Sequence, residues 1–270
     1  MIQVFRIPIL LPPRIVAAFG LLACALPADA GFVTWELPHT IAGDSDVSAI
    51  GTLVAAHNLG TFGNSSATIN GVTFTPFPTS APVNVLGNVT MSAAGNVQGD
   101  NFNFGDFFPP FSNLSNSYQT LIQSGSFTSG LFPPPEITMT FSGLTVGTEY
   151  RFQWWVNQSS LFSSDPGGAP PVIPTTMATA GGSVSLQRGG VDPGSVGQFA
   201  TGTFTADAVA QVFKFNGSDT RTLLNAFQLR ALPPSPIPEP GSCLIAFALS
   251  GVVFRSMFTR RRTPNPTSPL

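Results

Sequence analysis

The sequence predicts an all-β fold, a single jelly-roll-like β-sandwich, and three observations support this prediction. Apolar and polar residues alternate over several short segments, 27 glycines and 26 prolines supply frequent turns, and only 9% of the residues are charged. Alternation places one face of a strand on a core and the other face in water. Short strands that recur with turn signals between them are typical of sandwiches and jelly rolls.

The predicted strands all lie between residues 31 and 232, a stretch that no Pro- or Ser-rich linker divides and that we therefore predict to be one domain. They cover residues 51–58, 71–77, 137–142, 150–156, 182–187, 197–205, 209–215 and 225–232. The third and fourth are expected to be neighbouring strands, because a turn bounded by Gly143 and Gly147 joins them.

One helix and two loops complete the predicted domain. Tyr118, Leu121 and Ile122 have helical spacing and predict a helix over residues 117–125, which Gly125 would end. The stretches 100–117 and 159–176 are predicted loops. The first is rich in phenylalanine, so it is expected to fold back over a sheet edge.

Residues 1–30 have the three parts of a signal peptide. Arg6 and Arg14 form a basic start, and an apolar run over residues 15–26 follows. A small-x-small cleavage motif then precedes the first residue of the mature chain, and the site comprises Ala28, Ala30 and Gly31. The sequence thus predicts an N-terminal signal-peptide helix in front of the sandwich and an exported protein.

The same segment permits a second interpretation. Leu21, Leu22, Ala23 and Cys24 fit a lipobox, in which cleavage occurs before the cysteine and a lipid is attached to it. The protein would then be a lipoprotein anchored through Cys24. Cleavage after Ala30 is favoured, because it falls at the boundary with the folded region.

The C-terminus contains an extended linker, an apolar helix and a basic tail, in that order. Residues 233–241 are rich in proline, which favours an extended and solvated backbone. Residues 242–258 are apolar apart from Arg255 and are at the short limit for a transmembrane helix. The tail, residues 259–270, is basic and is expected to stay cytoplasmic. This topology leaves the sandwich outside the membrane.

This arrangement closely resembles the PEP-CTERM sorting domain of Gram-negative and related biofilm-forming bacteria. The matching residues are the tripeptide and the basic cluster: Pro238, Glu239, Pro240, Arg260, Arg261 and Arg262. The resemblance implies a partner, an exosortase-type processing enzyme that removes the helix. It also implies a membrane-anchored intermediate in the inner membrane that is passed to the cell surface or released outside the cell.

A second resemblance covers most of residues 31–232. Segments 44–58, 70–74, 143–150 and 225–230 are similar to a domain found upstream of such sorting signals in planctomycete-type bacteria. That domain looks like a galactose-binding-type jelly roll. Its motifs are structural, so the resemblance implies a fold rather than a ligand.

The charge and cysteine content exclude several classes of function. Residues 31–232 contain five basic and eleven acidic side chains, a formal charge of −6. A nucleic-acid partner is therefore not expected, since phosphate binding needs clustered Lys and Arg. Both cysteines, Cys24 and Cys243, lie in the terminal segments, so the middle has neither a disulfide nor a Cys zinc site.

The residues of the middle do not indicate an enzyme. His39 and His57 are its only histidines, and no Gly-x-Ser-x-Gly nucleophile elbow occurs. The acidic residues lie mostly in turn-like contexts, where they cap backbone groups. We predict no cofactor; calcium held by Asp44 and Asp46 is the alternative. A hydrolase of extracellular polysaccharide is the rival function, and it would need two carboxylates across a cleft.

Carbohydrate binding is the most concrete ligand hypothesis. Trp154 and Trp155 are adjacent on a predicted strand, so they face opposite sides of the sheet. If Trp154 is inside, Trp155 is outside near Asn157 and Gln158, where its ring can stack on a sugar. The alternative is that a loop or a second layer covers Trp155. We therefore expect an exported surface or extracellular-matrix protein with a non-catalytic module that is structural or binds extracellular polysaccharide.

Overall fold

The computed structural model describes residues 31–60, 65–95, 97–101, 108–129, 135–158, 173–190, 192 and 194–234. This part of the chain is predominantly β and is built from two facing sheets, so the all-β prediction is confirmed. The predicted strands agree with the observed ones to within two residues at each end.

The larger sheet has eight strands, and its neighbouring strands are antiparallel except for Thr52–Leu59 and Val72–Phe77, which run parallel. Seven of them follow the order β1-β14-β11-β17-β3-β5-β4, and β2 also pairs with β14. Their bounds are β1 Thr34–Trp35, β2 His39–Thr40, β3 Thr52–Leu59, β4 Ala67–Ile69, β5 Val72–Phe77, β11 Glu149–Val156, β14 Gln198–Thr205 and β17 Ala226–Ala231.

The second sheet has six antiparallel strands in the order β13-β12-β15-β10-β7-β6. Their bounds are β6 Val83–Leu86, β7 Val89–Ala93, β10 Ile137–Ser142, β12 Thr175–Ala180, β13 Gly182–Gln187 and β15 Ala210–Gly217. A small third sheet has the order β16-β9-β8, with β8 Gln98–Asn101, β9 Ser124–Ser129 and β16 Arg221–Leu224.

Aromatic side chains fill the core between the two large sheets. Phe152 of the larger sheet stacks on Phe213 of the six-stranded sheet with ring centroids 4.1 Å apart. Phe141 meets Phe227 edge to face at 5.7 Å. All four side chains are fully buried, and such pairs add to the stability that burial itself provides.

The strands β10 and β11 are not neighbours, so the predicted pairing of residues 137–142 with 150–156 is wrong. β10 pairs with β7 and β15, whereas β11 pairs with β14 and β17 in the opposite sheet. The turn between them crosses from one sheet to the other. Their alternating apolar residues meet across the core, where Phe141 and Phe152 lie 5.6 Å apart between ring centroids.

A short helix, α1, lies against the outer face of the larger sheet. It spans Asn116–Ile122, and the hydroxyl of Ser115 caps it by accepting a hydrogen bond from the Tyr118 N–H at 3.2 Å. The predicted helix was too long at its C-terminal end, because the chain turns at Gln123 and enters β9 at Ser124. Gly125 therefore lies in a strand rather than at a helix end.

The helix and the segment before it bury a second apolar cluster. Tyr118, Leu121 and Ile122 pack with Phe111, which lies in a 3-10 turn. The described part of the predicted 100–117 loop thus covers the outer face of a sheet. Across from these residues the sheet contributes Ala56, Phe74, Trp155, Phe199 and Ala226.

The N-terminal segment of the described chain joins the two sheets. The Val33 N–H donates to the Ala180 carbonyl in the six-stranded sheet, at 2.9 Å, while β1 pairs with β14 in the larger sheet. Trp35 packs edge to face on Phe152 and Phe213, with ring centroids 6.2 and 6.1 Å away. Trp35 thus packs on the core of the sandwich.

Both targeting segments lie outside the described residues. These are the predicted signal peptide, residues 1–30, and the C-terminal residues 235–270 with the sorting motif and the predicted membrane helix. Among the residues that are described, no helix reaches the length and hydrophobicity that a membrane span requires.

Candidate functional site

Trp155, the residue considered as a sugar platform, is fully buried, so the structure has the alternative in which a second layer covers it and not the exposed ring. Trp154 faces the core between the sheets, as expected, and Trp155 faces the other way. On that side it meets a second apolar layer: Phe74 lies edge to face with it at 5.6 Å between ring centroids. Its indole N–H donates to the Tyr118 hydroxyl of α1 at 2.9 Å. The indole therefore offers no open face to a sugar.

Asn157 and Gln158, the two other predicted sugar contacts, flank this layer. Asn157 is fully buried, and its side-chain oxygen accepts a hydrogen bond from the Gly197 N–H at 2.8 Å. Gln158 is half-buried, and its backbone N–H donates to the Arg188 carbonyl. The Asn157 amide is thus used to hold backbone segments together rather than to meet a ligand.

Tyr118 links the buried layer to the surface. Its hydroxyl accepts from Trp155 and donates to the Asp46 carboxylate at 3.2 Å. Burial raises the pKa of Tyr118 well above its ordinary value, and the negative charge of Asp46 raises it further. The tyrosine is therefore neutral over the physiological pH range.

We expect the protein to lose stability above about pH 10 because of Tyr118. The unfolded tyrosine ionises there while the buried one keeps its proton, so the free energy of unfolding should fall by about 1.4 kcal/mol per pH unit. Urea unfolding between pH 8 and pH 11 measures the slope. The Tyr118→Phe variant should lack this contribution, and equal slopes for the two proteins would contradict the assignment.

Asp44 and Asp46, the proposed calcium ligands, make separate structural hydrogen bonds. Asp44 accepts from the Ser115 hydroxyl at 2.6 Å. Asp46 accepts from the N–H groups of Ala42 and Gly43, at 2.7 and 3.0 Å, and from Tyr118. Within the described part of the chain, no group of three or more His, Cys, Asp or Glu side chains is placed to hold a metal ion.

Next to the apolar layer, polar side chains on the same face of the sheet hold residues 46–51, a segment that crosses over the sheet. Gln153 is 1% exposed, accepts from the Ser48 N–H at 3.1 Å and donates to the Asp46 carbonyl at 2.6 Å. Gln228 bridges Gln153 and the Ser48 carbonyl at 2.7 and 3.0 Å. Arg230 donates to the carbonyls of residues 49–51. These bonds fix the segment over the sheet.

An open cleft of about 450 Å³ lies beside this segment, and we call it the outer-face cleft. The Phe199 ring, 8% exposed, stacks with the exposed His39 imidazole at 5.3 Å between ring centroids. The cleft is lined by Glu36, His39, Ser45, Asp46, Val47, Ser48, Ala49, Ile50, Asn70, Arg151, Gln153, Phe199 and Thr201.

Arg151 and Glu36 are the charged pair of the outer-face cleft. The Arg151 Nη2 lies 3.6 Å from the Glu36 carboxylate, and the two side chains are 23% and 49% exposed. Arg151 also donates to the Ser48 hydroxyl from Nη1 at 3.3 Å. Among the described residues, its buried Nε has no hydrogen-bond partner. The Arg151 guanidinium thus has N–H groups that form no hydrogen bond to the described residues, and the Glu36 carboxylate is partly open to the solvent.

The sequence does not predict that Glu36, His39 and Arg151 meet in this cleft. Glu36 and His39 come from the N-terminal segment, whereas Arg151 comes from β11, more than a hundred positions later in the chain. No short motif contains them. His57, the other histidine, is 9% exposed and bonds to the Thr75 hydroxyl at 3.0 Å, in agreement with a structural role.

Comparison with known proteins gives no relative to guide the assignment: no protein-family description, no curated protein and no solved structure matches the chain.

Proposed function

We propose that the protein is an exported surface or matrix protein, in which a signal peptide leads a jelly-roll-like sandwich out of the cell and a C-terminal helix tethers it. An exosortase-type enzyme then reads Pro238, Glu239 and Pro240 and removes the helix. The observation that carries this proposal is that Gly31 and Pro234, the first and last of the described residues, lie at the same end of the sandwich.

The N-terminal end lies beside the last residue of β14. A Cβ atom placed on Gly31 would be 2.8 Å from the Thr205 carbonyl oxygen, so the two residues are in contact. Gly31 is buried, and its own carbonyl accepts a hydrogen bond from the Gln211 side chain at 3.2 Å. Gly31 is the first residue that cleavage after Ala30 would leave. Cleavage before Cys24 would also leave the fold whole.

The C-terminal end leaves from the same place. The Leu232 N–H donates to the Glu149 carbonyl at 2.8 Å, directly after β17 ends. Leu232, Pro233 and Pro234 then line a depression together with Thr205. A module whose two ends exit side by side is held from one end, which suits a protein tethered to a membrane by its C-terminal helix.

The proposed role is non-catalytic. Two carboxylates, Glu36 and Asp46, line the outer-face cleft, but the Asp46 Oδ2 atom already accepts hydrogen bonds from two backbone N–H groups and Tyr118. A glycosidase needs both carboxylates free to exchange protons or to attack the sugar. This arrangement favours binding or structure over hydrolysis.

Glu239→Gln is expected to block release of the protein in a bacterium that carries a matching exosortase. The tripeptide would lose its charge, so most of the variant should stay at full length in the membrane fraction, as measured by immunoblotting of membrane and medium. Glu136→Gln, the same change on the folded module, is the control and should be released like the unaltered protein. Equal release of the Glu239→Gln variant would count against the proposal.

A further inference from the structure

We propose that the outer-face cleft binds a short stretch of neutral polysaccharide, with Arg151 and Glu36 as the hydrogen-bonding pair and His39 as the ring platform. The inference rests on the proposed function in one respect, because only an exported module meets extracellular polysaccharide. It replaces the buried Trp155 as the point of sugar contact.

Arg151 has unused donors at the cleft. A guanidinium has five N–H donors, and with the described part of the chain that of Arg151 forms one direct hydrogen bond within 3.5 Å, to Ser48. Glu36 lies at 3.6 Å, which is an ion-pair distance rather than a direct hydrogen bond. The Nε atom has no partner among the described residues. Because Nε is buried, a ligand oxygen in the cleft would instead accept from guanidinium N–H groups of the partly exposed side chain that form no hydrogen bond to the described residues.

Glu36 supplies the complementary acceptors. Its carboxylate is about half exposed, and the carboxylate and the guanidinium lie side by side. Each hydroxyl of a sugar is both a donor and an acceptor. Two adjacent hydroxyls on one ring can therefore bridge the pair, one donating to Glu36 and the other accepting from Arg151.

His39 and Phe199 supply a flat surface next to this pair. Their rings are tilted by only 23°, so one face of the imidazole rests on the phenyl ring. His39 itself is exposed, which leaves its other face to the solvent. Ile50, 60% exposed, also lines the cleft. Flat and apolar surfaces beside polar groups match the C–H faces and hydroxyl edges of a sugar ring.

The floor of the cleft is fixed before any ligand arrives. Gln153 uses its side-chain oxygen and nitrogen to hold the segment that crosses the sheet, and Gln228 holds Gln153. Arg151 lies two residues before Gln153 on the same strand, so its side chain projects from the same face. Binding then orders few additional groups, which lowers its entropic cost.

Charge favours a neutral ligand over an anionic one. Two carboxylates, Glu36 and Asp46, line the cleft against the single guanidinium of Arg151. The stretch 31–232 is also acidic overall, with eleven acidic and five basic side chains. A uronate polymer or a nucleic acid would be repelled by this field, whereas a neutral polysaccharide would not.

Isothermal titration calorimetry tests the proposal on the full chain, kept in a detergent without a sugar headgroup. The probes are cellohexaose, maltohexaose and xylohexaose, with hexagalacturonate as the anionic comparison. At least one neutral hexaose should bind. Arg151→Gln and Glu36→Gln should each weaken that binding about tenfold or more, since each removes a charge-assisted hydrogen bond.

The chain offers a matched pair of control variants. Lys214 and Glu136 form a partly exposed ion pair at 3.3 Å on the six-stranded sheet, so Lys214→Gln and Glu136→Gln each remove the same charge as the test variants at a site away from the cleft. These controls should bind like the unaltered protein. Glu36 is exposed, so its replacement is expected to leave the fold intact even if Arg151→Gln does not fold.

Three results would overturn the inference: no heat of binding with any neutral hexaose, equal affinity in the Glu36→Gln variant, or tighter binding of hexagalacturonate. None of these depends on sorting. A protein that is released normally but binds no sugar would leave the proposed function intact. If the unaltered protein binds sugar and the Glu239→Gln variant is still released, only the proposed sorting step is contradicted.

Discussion

Replacing Trp155 with Ala is expected to lower the free energy of unfolding by about 3–5 kcal/mol, the range for an aromatic residue removed from a core. The indole is 0% exposed and lies between the larger sheet and α1. Its loss leaves a cavity next to Phe74 and Phe199 and leaves the Tyr118 hydroxyl without the donor that it accepts from. Chemical denaturation of the full chain, followed by circular dichroism, measures the change.

Trp155→Phe keeps an aromatic ring in the layer but removes the pyrrole part of the indole together with its N–H. The loss should be at least about 1–2 kcal/mol, the cost of one buried hydrogen bond, and smaller than that of Trp155→Ala. A Trp155→Ala variant that is as stable as the unaltered protein, yet has lost sugar binding, would show instead that the indole is a surface platform. Such a result would contradict the layered structure.

Asn225→Ala is expected to cost about 3 kcal/mol or more, because one fully buried amide holds three backbone groups. Its oxygen accepts from the Asn157 N–H, and its nitrogen donates to the carbonyls of Ile122 and Ser124 at 3.0 and 2.9 Å. The side chain thus ties the end of β11 to the end of α1 and the start of β9. Each buried polar group that loses its partner costs about 1–3 kcal/mol.

Asn216→Ala is the matched control for this change. Asn216 is partly exposed and donates to the Glu136 carboxylate at 3.3 Å. Water can replace that bond, so the loss of stability should stay within about 0.5 kcal/mol. If both variants melt at the same temperature as the unaltered protein, the Asn225 side chain does not have the joining role that the structure gives it.

The strands could be predicted from the sequence because their signal is local. Residues 137–142 alternate strictly between apolar and polar, and β10 has those bounds. The pairing could not be predicted, since alternation is the same whether the next strand lies in the same sheet or in the opposite one. The turn at residues 143–148 is compatible with either arrangement. In the structure the two strands lie in opposite sheets, and their aromatic side chains pack against each other across the core.

The outer apolar layer and the outer-face cleft could not be predicted either, because both depend on contacts between distant segments of the chain. Alternation with Trp154 placed Trp155 on the opposite face of the sheet, but alternation does not distinguish a face exposed to solvent from one covered by a second apolar layer, so both alternatives stayed open. The helical spacing of Tyr118, Leu121 and Ile122 indicated a helix with one apolar face. Such a face packs against another element, which here is the outer face of the larger sheet. His39 and Arg151 had no such signal, because the cleft forms only when distant segments meet.

The mass of the intact protein that leaves the cell surface tests the central claim most directly. We expect a released chain that begins at Gly31 and lacks residues 242–258, and we expect the Glu239→Gln variant to stay at the membrane with its helix attached. A released protein that still contains residues 242–258, or release of the variant to the same extent and with the same mass, would contradict the account.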